Sequence, residues 1–500
     1  MKNLIKVSIF TITVLMVLNI KGTPALEVTR LTVDNAVDIA MKRSYRIKQI
    51  ELGIARTRYW LKAERAGLKS KVFMNLRAPE FNAVSDYKWN STLQIDEIIR
   101  QNTRRWQMDI SVRQPVILLG YPTNGYLSLN NKIYRYYQKE DIEEDVDYYN
   151  RFFIKFEQPI LRPNELKNDI ENAELSVERE ELDYIRDIVN LSNSISFDFY
   201  NLFGLVYRNT IYSHYVEDLE NILKIAQTVA LEDTTRKIEE IQANLELTNA
   251  REMQLKNFNR LRQRMQNMKL RLRMDVQDSI LVKHDIVLNP IEIDANQALQ
   301  YGYTMRPHLR LQYIEKRRRE IRLNNAKGWD AFHLNLEMTL GLEKNEDRYQ
   351  AIWEEYDNSY SVSINAYIPI WDWGRRKAWV GAEKVNVKRA DLNIEENRNS
   401  LKSSIVNTIT NLKDYQQRAL NLKESVTMAQ EICDMSIQQY KENRISLQGV
   451  LQVINRQRNT GINFLDAYLG YRRSLQQLKS LTYYDYETGE SLLDRYRPES

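Results

Sequence analysis

Two long stretches of this chain contain no proline, and they limit the fold more than any motif does. The ten prolines fall at Pro24, Pro79, Pro115, Pro122, Pro159, Pro163, Pro290, Pro307, Pro369 and Pro498. Residues 164–289 and 370–497 are therefore free of the residue that breaks a helix from inside. Both are rich in Leu, Ile, Ala, Glu, Lys, Arg and Gln, which favour helix. Each is long enough for a pair of helices of about 45 to 65 residues, hence roughly 70 to 100 Å of rise. Such a pair must turn back at a tip. The run VALEDTTRK, with Leu231 to Thr235, marks the first turn, and ENRISLQGV, with Asn443 to Gly449, marks the second.

Along 401–440 a heptad is legible. Ile405, Leu412, Ala419, Val426, Cys433 and Tyr440 recur every seven residues, interleaved with Leu401, Thr408, Tyr415, Leu422, Ala429 and Ser436, as in a coiled-coil seam. A second apolar set, Ile409, Leu420, Met428, Ile432 and Met435, is offset around the helix. Two apolar faces predict neighbours on both sides, as in a closed ring of helices. Cys433 lies on the seam and reads as a packed small residue. As the only cysteine, it leaves no intramolecular disulfide.

The segments before the two helical stretches correspond. A shift of 262 residues pairs Leu31 with Ile293, Ala36 with Ala298, Ala40 with Gly302, and Val72, Met74 and Leu76 with Leu334, Leu336 and Met338. The chain therefore reads as an internal duplication. The first repeat is 26–290, with a helix at 32–69, strands and an insertion at 70–160, and a helical hairpin at 163–285. The second is 291–485, with a helix at 294–327, strands at 330–370 and a hairpin at 375–482, before a tail at 486–500. The expected class is α+β, mainly α.

The strand segments alternate with a period of two. Phe332, Leu334, Leu336, Met338, Leu340 and Leu342 alternate with polar neighbours, as do Val362, Ile364, Ala366 and Ile368, then Phe152, Ile154 and Phe156, then Trp106, Met108, Ile110 and Val112. Strands with one apolar and one polar face suit a membrane barrel with lipid outside and water inside; a soluble sandwich has the same alternation. Segment 79–148 carries an extra strand at 105–116 and a Tyr-rich one at 125–137. Whether these join the barrel or decorate it stays open from the sequence.

At the N-terminus, Lys2 and Lys6 precede an apolar run from Val7 to Ile20 and then Gly22, Thr23 and Ala25, the pattern of an export signal over 1–25. That run is shorter than the ~20 residues of a spanning helix. Lys and Arg total 72 against 67 Asp and Glu, spread along the chain, which argues against a nucleic-acid partner. His214, His284, His308 and His333 have no ligand-spaced partners, so no metal or other cofactor is expected, and no nucleophile or phosphate-loop motif suggests an enzyme. The run Lys316 to Arg319 reads as a wetted helix face.

In order, spacing and duplication these features resemble the TolC family of outer-membrane efflux channels across essentially the whole mature chain. AYIPIWDWGRRKAWVGAEKV at 366–385 is similar to the family's strand-to-helix passage, YKENRISLQGVLQV at 440–453 to its hairpin tip, FEQPILRPNELKNDIENAEL at 156–175 to the first passage, and LTVDNAVDIAMKRSYRI at 31–47 to its opening helix. The resemblance implies a homotrimer with one shared transmembrane β-barrel in outer-membrane lipid and a periplasmic α-barrel. It implies a periplasmic adaptor and an inner-membrane transporter of the resistance-nodulation-division (RND) or ABC type as partners, in efflux or type I secretion. Leu231, Thr234, Thr235, Arg444, Ile445, Ser446 and Leu447 would be docking tips. Where some relatives narrow the tunnel mouth with Asp, this chain has Gly449 and Gln452. Glu232, Asp233, Glu239 and Glu442 would supply a negative constriction instead, or stand as solvated helix-end charges. The rival reading is an exported coiled-coil scaffold or adhesin that conducts nothing.

Overall fold

The computed structural model describes residues 28–92, 94–140, 143–275, 277–282 and 286–496. The expected export signal and His284 lie outside the described residues. In chain order come β1 (Val28–Leu31), α1 (Val33–Arg43), α2 (Tyr45–Ala66), β2 (Lys71–Asn90), β3 (Ile95–Leu118), β4 (Tyr121–Glu140), β5 (Glu143–Ile160), α3 (Glu165–Glu232) and α4 (Lys237–Leu272). Next are β6 (Ser279–Val282), α5 (Ala295–Thr304), α6 (Pro307–Gly328), β7 (His333–Glu346), β8 (Asp357–Tyr367), α7 (Arg375–Lys441) and α8 (Leu447–Thr482). The architecture is mainly helical. Among the described residues no helix is long and apolar enough to cross a membrane.

Two helices expected as single pieces are each broken. Ser44 is extended (φ −73°, ψ 120°) and separates α1 from α2, while Pro307 disfavours helical geometry at Arg306 and separates α5 from α6. The hairpin expected to reach 285 stops at Leu272, where Arg273 takes a left-handed conformation (φ 53°) and its N–H caps the helix. Beyond this cap lies β6, which pairs in parallel with β1, a pairing not expected from the sequence. The tail is a small hairpin, Tyr484–Asp485 with Glu490–Ser491, closed by buried Leu492.

The described residues divide into two compact units, one of Gln49–Tyr184 and Pro307–Asn397, the other of the remaining segments. The first holds a six-stranded antiparallel sheet in the order β2-β3-β4-β5-β7-β8. Segment 79–148 thus supplies strands to the sheet itself. Pro79 and Pro115, which cannot donate to a ladder, both sit where the β2–β3 and β3–β4 registers slip.

The register gives the sheet two unlike faces. One row across all six strands reads Val72, Val112, Leu129, Ile154, Leu340 and Tyr360. The next row, one residue along on the opposite face, reads Lys71, Arg113, Ser128, Lys155, Thr339 and Ser361. On the apolar face Val72, Leu129, Ile154, Leu340 and Tyr360 are exposed. On the polar face Lys155 Nζ meets Glu337 Oε1 at 3.0 Å, Arg151 Nε meets Glu343 Oε2 at 3.3 Å, and Ser111 donates to Asn130 at 2.7 Å.

Helices in this unit are stitched by charge. Arg58 meets Glu181 at 3.0 Å and Arg65 meets Glu174 at 2.9 Å. Arg317 pairs with Glu171 at 2.6 Å, Lys316 with Asp391 at 2.7 Å, and Arg318 donates to Ser176 at 2.7 Å. The basic run at 316–319 is therefore a set of helix-to-helix ties, not only a wetted face.

The other unit holds two apolar clusters. One joins Leu31, Ala36 and Val37 to Phe199, Leu202, Met268 and Leu465; the other joins Tyr215, Leu219 and Ile222 to Leu247, Cys433, Tyr440 and Val450. The heptad is visible in the burial: Leu401, Ile405, Leu412, Ala419, Cys433 and Tyr440 are buried. Of the offset set only Ile409 is buried, while Leu420, Met428, Ile432 and Met435 stay exposed.

Candidate gate and docking tips

Each helical pair reverses over a few residues. After α3, Asp233 opens a single 3₁₀ turn, Thr234–Arg236, accepting from Thr235 N at 3.0 Å and Thr235 Oγ1 at 2.6 Å. Those hydrogen bonds, side-chain first and then backbone, hold the Asp233 carboxyl below its ordinary range. After α7, Asn443 adopts φ 58°, and Ser446 caps α8 by accepting from Gly449 N at 3.3 Å.

Side chains join these turns. Arg236 donates to both carboxylate oxygens of Glu239, Nε at 3.0 Å and Nη2 at 2.8 Å, and its Nη1 donates to Asn443 Oδ1 at 2.6 Å. The hydroxyl of Tyr440 donates to Glu239 Oε2 at 2.9 Å, and Gln242 donates to Gln448 at 3.3 Å. Burial pushes the Glu239 carboxyl up, but the bonds from Arg236 and Tyr440 outweigh it, and the group ends below its ordinary value. Burial and the bond to Glu239 push the Tyr440 phenol up. The arrangement is a latch of three bonds from the Arg236 guanidinium and a phenolic one, backed by the apolar cluster around Tyr440, Leu447 and Val450.

The expected site residues separate into groups. Leu231, Thr234, Thr235, Arg444 and Ser446 are exposed, and Ile445 is partly buried. Leu447 is 2% exposed and packs in the apolar cluster with Tyr440 and Val450. Glu239 is no free mouth charge, being enclosed by its donors. Glu442 pairs with Arg444 at 3.0 Å and accepts from Gln438 at 2.7 Å. Asp233 and Gln452 are exposed and Gly449 half-buried; of Glu232 only its place at the end of α3 is described. Arg236, Asn443 and Tyr440 join the latch although the expected docking and constriction residues do not include them. Tyr440 is legible in the sequence as a seam position opening the second tip run, and Arg236 as a member of the first run spaced i, i+3 from Glu239.

Residues 311–482 match the outer membrane efflux protein family. Over about nine-tenths of its length the chain has the fold of solved outer-membrane channels. It aligns with CusC at 12% identity and a TM-score of 0.64, over 91% of this chain and 92% of that one. The CmeC outer membrane channel of Campylobacter jejuni aligns at 13% and 0.62, over 92% and 90%. VceC, an outer membrane protein of Vibrio cholerae, aligns at 10% and 0.64, over 90% and 95%. At these identities the likeness shows the fold. No curated protein matches the chain at the level of sequence.

Proposed function

We propose that this chain is the exit duct of an efflux or secretion assembly spanning the cell envelope, working as a passive conduit. The observation that carries the reading is the two-faced sheet: its apolar rows are exposed on one side, its ion-paired rows lie on the other, and β2 and β8 are left as open edges. Open edges and an apolar face are satisfied together when copies of the chain pair edge to edge into a closed barrel in lipid. Three six-stranded sheets fall in the range of strand number that leaves an aqueous channel.

The exposed apolar residues of α7, Leu420, Met428, Ile432 and Met435, favour the same conclusion, because neighbouring copies in a trimer would cover them as a periplasmic helical barrel. The recurrence of paired helices, strands and a long helical hairpin in both halves fits a duplicated origin. The tips would be the gate. In the closed state the Arg236, Glu239, Tyr440 and Asn443 bonds hold the two turns of each copy together. A periplasmic adaptor meeting Leu231, Thr234, Thr235, Arg444, Ile445 and Ser446 would exchange those bonds for its own contacts and pass cargo from an inner-membrane RND or ABC transporter.

Single-channel recording of the purified protein in planar bilayers tests this. Small, stable currents that grow in Tyr440→Phe and Glu239→Gln support a gated duct. Silence from folded, membrane-extracted protein, latch variants included, overturns it in favour of a non-conducting scaffold.

A further inference from the structure

Beside the passage from β8 into α7 lies a concavity of about 570 Å³. Ile370 and Trp371 line it, and Lys327, Arg376, Lys377 and Lys384 supply four cations, against the two carboxylates of Asp330 and Asp372. Both carboxylates are already engaged. Asp330 accepts from the Tyr367 hydroxyl, and Asp372 accepts from Gly374 N at 2.8 Å and Arg376 N at 2.9 Å, which also closes off the N-terminus of α7. Three of the four cations are not. Among the described residues Lys327, Lys377 and Lys384 have no ion-pair partner. Arg376 donates Nη2 to the Lys327 carbonyl at 2.9 Å, while its Nε is buried without a partner. Lys377 and Lys384, seven residues apart, share one helix face. Between them lies Gly381, which also lines the concavity, and a Cβ there would stand in open space with no atom within 4 Å.

The flanking residues say what kind of anion fits. Ile370 is 92% exposed and Trp373 89%, directly after a strand whose apolar face carries Val362 and Ile364. Apolar and Trp side chains at the end of a lipid-facing strand mark the boundary between hydrocarbon and headgroups. Lysines just beyond that boundary reach the level of lipid phosphates. We propose that this concavity binds the phosphate of an anionic phospholipid in the leaflet nearest the helices, with its acyl chains along Ile370 and Trp371. The inference rests on the membrane-channel reading above and adds a lipid-specific site to it.

The test weighs the intact protein by native mass spectrometry after equilibration in neutral detergent with phosphatidylglycerol or phosphatidylcholine. Wild type should retain phosphatidylglycerol at about tenfold lower lipid concentration. Lys377→Gln combined with Lys384→Gln, and separately Gly381→Phe, which adds bulk to the lining and keeps every charge, should each abolish the preference while conducting normally in bilayers. Equal retention of both lipids by wild type, or a preference unchanged in both variants, overturns the site. So does loss of phosphatidylglycerol to an equal concentration of inorganic phosphate, which would make it a site for free anions. Protein that conducts but shows no lipid preference sinks the lipid site alone. Protein silent in every bilayer sinks the channel reading and the site with it.

Discussion

Glu239 shows how a single carboxylate is assigned by its neighbours. In the sequence it is an acid close to a tip, and a constriction charge is a fair reading. In the structure three donated bonds turn it inward, from Arg236 and Tyr440, which lie in the two tip runs but are not among the expected constriction charges. A bond to a charged group is worth about 1.5 to 3 kcal/mol. Glu239→Gln should therefore raise the open probability in bilayer recordings roughly tenfold, whereas Glu442→Gln, losing only the tie to exposed Arg444, should change it little. Because the Glu239 carboxyl is depressed, its contribution is complete above the ordinary carboxylate range and is lost only as pH falls through the lower folded value, so the latch should stay shut through mild acid. Asp218 behaves in the opposite sense. Burial first, then Asp434, pushes its carboxyl up to about 6, with His214 opposing and Glu217 adding, so its contribution is present below the ordinary range and lost as pH rises through about 6. The melting temperature of wild type should fall between pH 5 and pH 8. Asp218→Asn should flatten that profile and melt higher at pH 8; a flat wild-type profile would remove this account.

Among elements, legibility depends on whether a pattern has one face to serve. The seam of α7 was readable because Ile405, Leu412 and Ala419 each meet a packed interior, and all three are fully buried. Ile405→Ala should cost about 2 to 5 kcal/mol in chemical unfolding. Ile432→Ala, on the exposed set, should leave that unfolding unchanged and weaken self-association instead, measured by sedimentation. Strands 334–342 and 362–366 were readable for the same reason. The far half of β2 was not: Phe81, Ala83 and Ser85 alternate with Asn82 and Val84, so neither face is consistently apolar, and only pairing with β3 reveals the strand. The short β1–β6 pair escaped because four residues a side are too few for any period to register. The helix breaks at Ser44 and Pro307 were signalled locally, by a capping residue type and by proline, but a continuous apolar pattern outvoted them.

For the molecule as a whole, the sheet makes the sharpest demand. Val362→Arg puts a charge on the apolar face and should block insertion into bilayers, at a cost of about 2 to 4 kcal/mol for a side chain near the midplane. Ser361→Arg, one residue away on the ion-paired face, should insert normally and alter only the conductance. If both insert equally well, the apolar face does not meet lipid. Arg444→Glu should weaken adaptor capture and leave the copies assembled, read by co-purification and by native mass. Beyond the rows that carry these faces, β2 and β3 run on together, Asn82 to Asn90 against Ile95 to Thr103, and among the described residues no strand pairs with the other side of β2. A ribbon with no interior to protect places almost no restraint on its residues. Over generations this stretch should drift faster than any other part of the chain, so that closely related lineages would differ most visibly there while their barrels and tips stay alike.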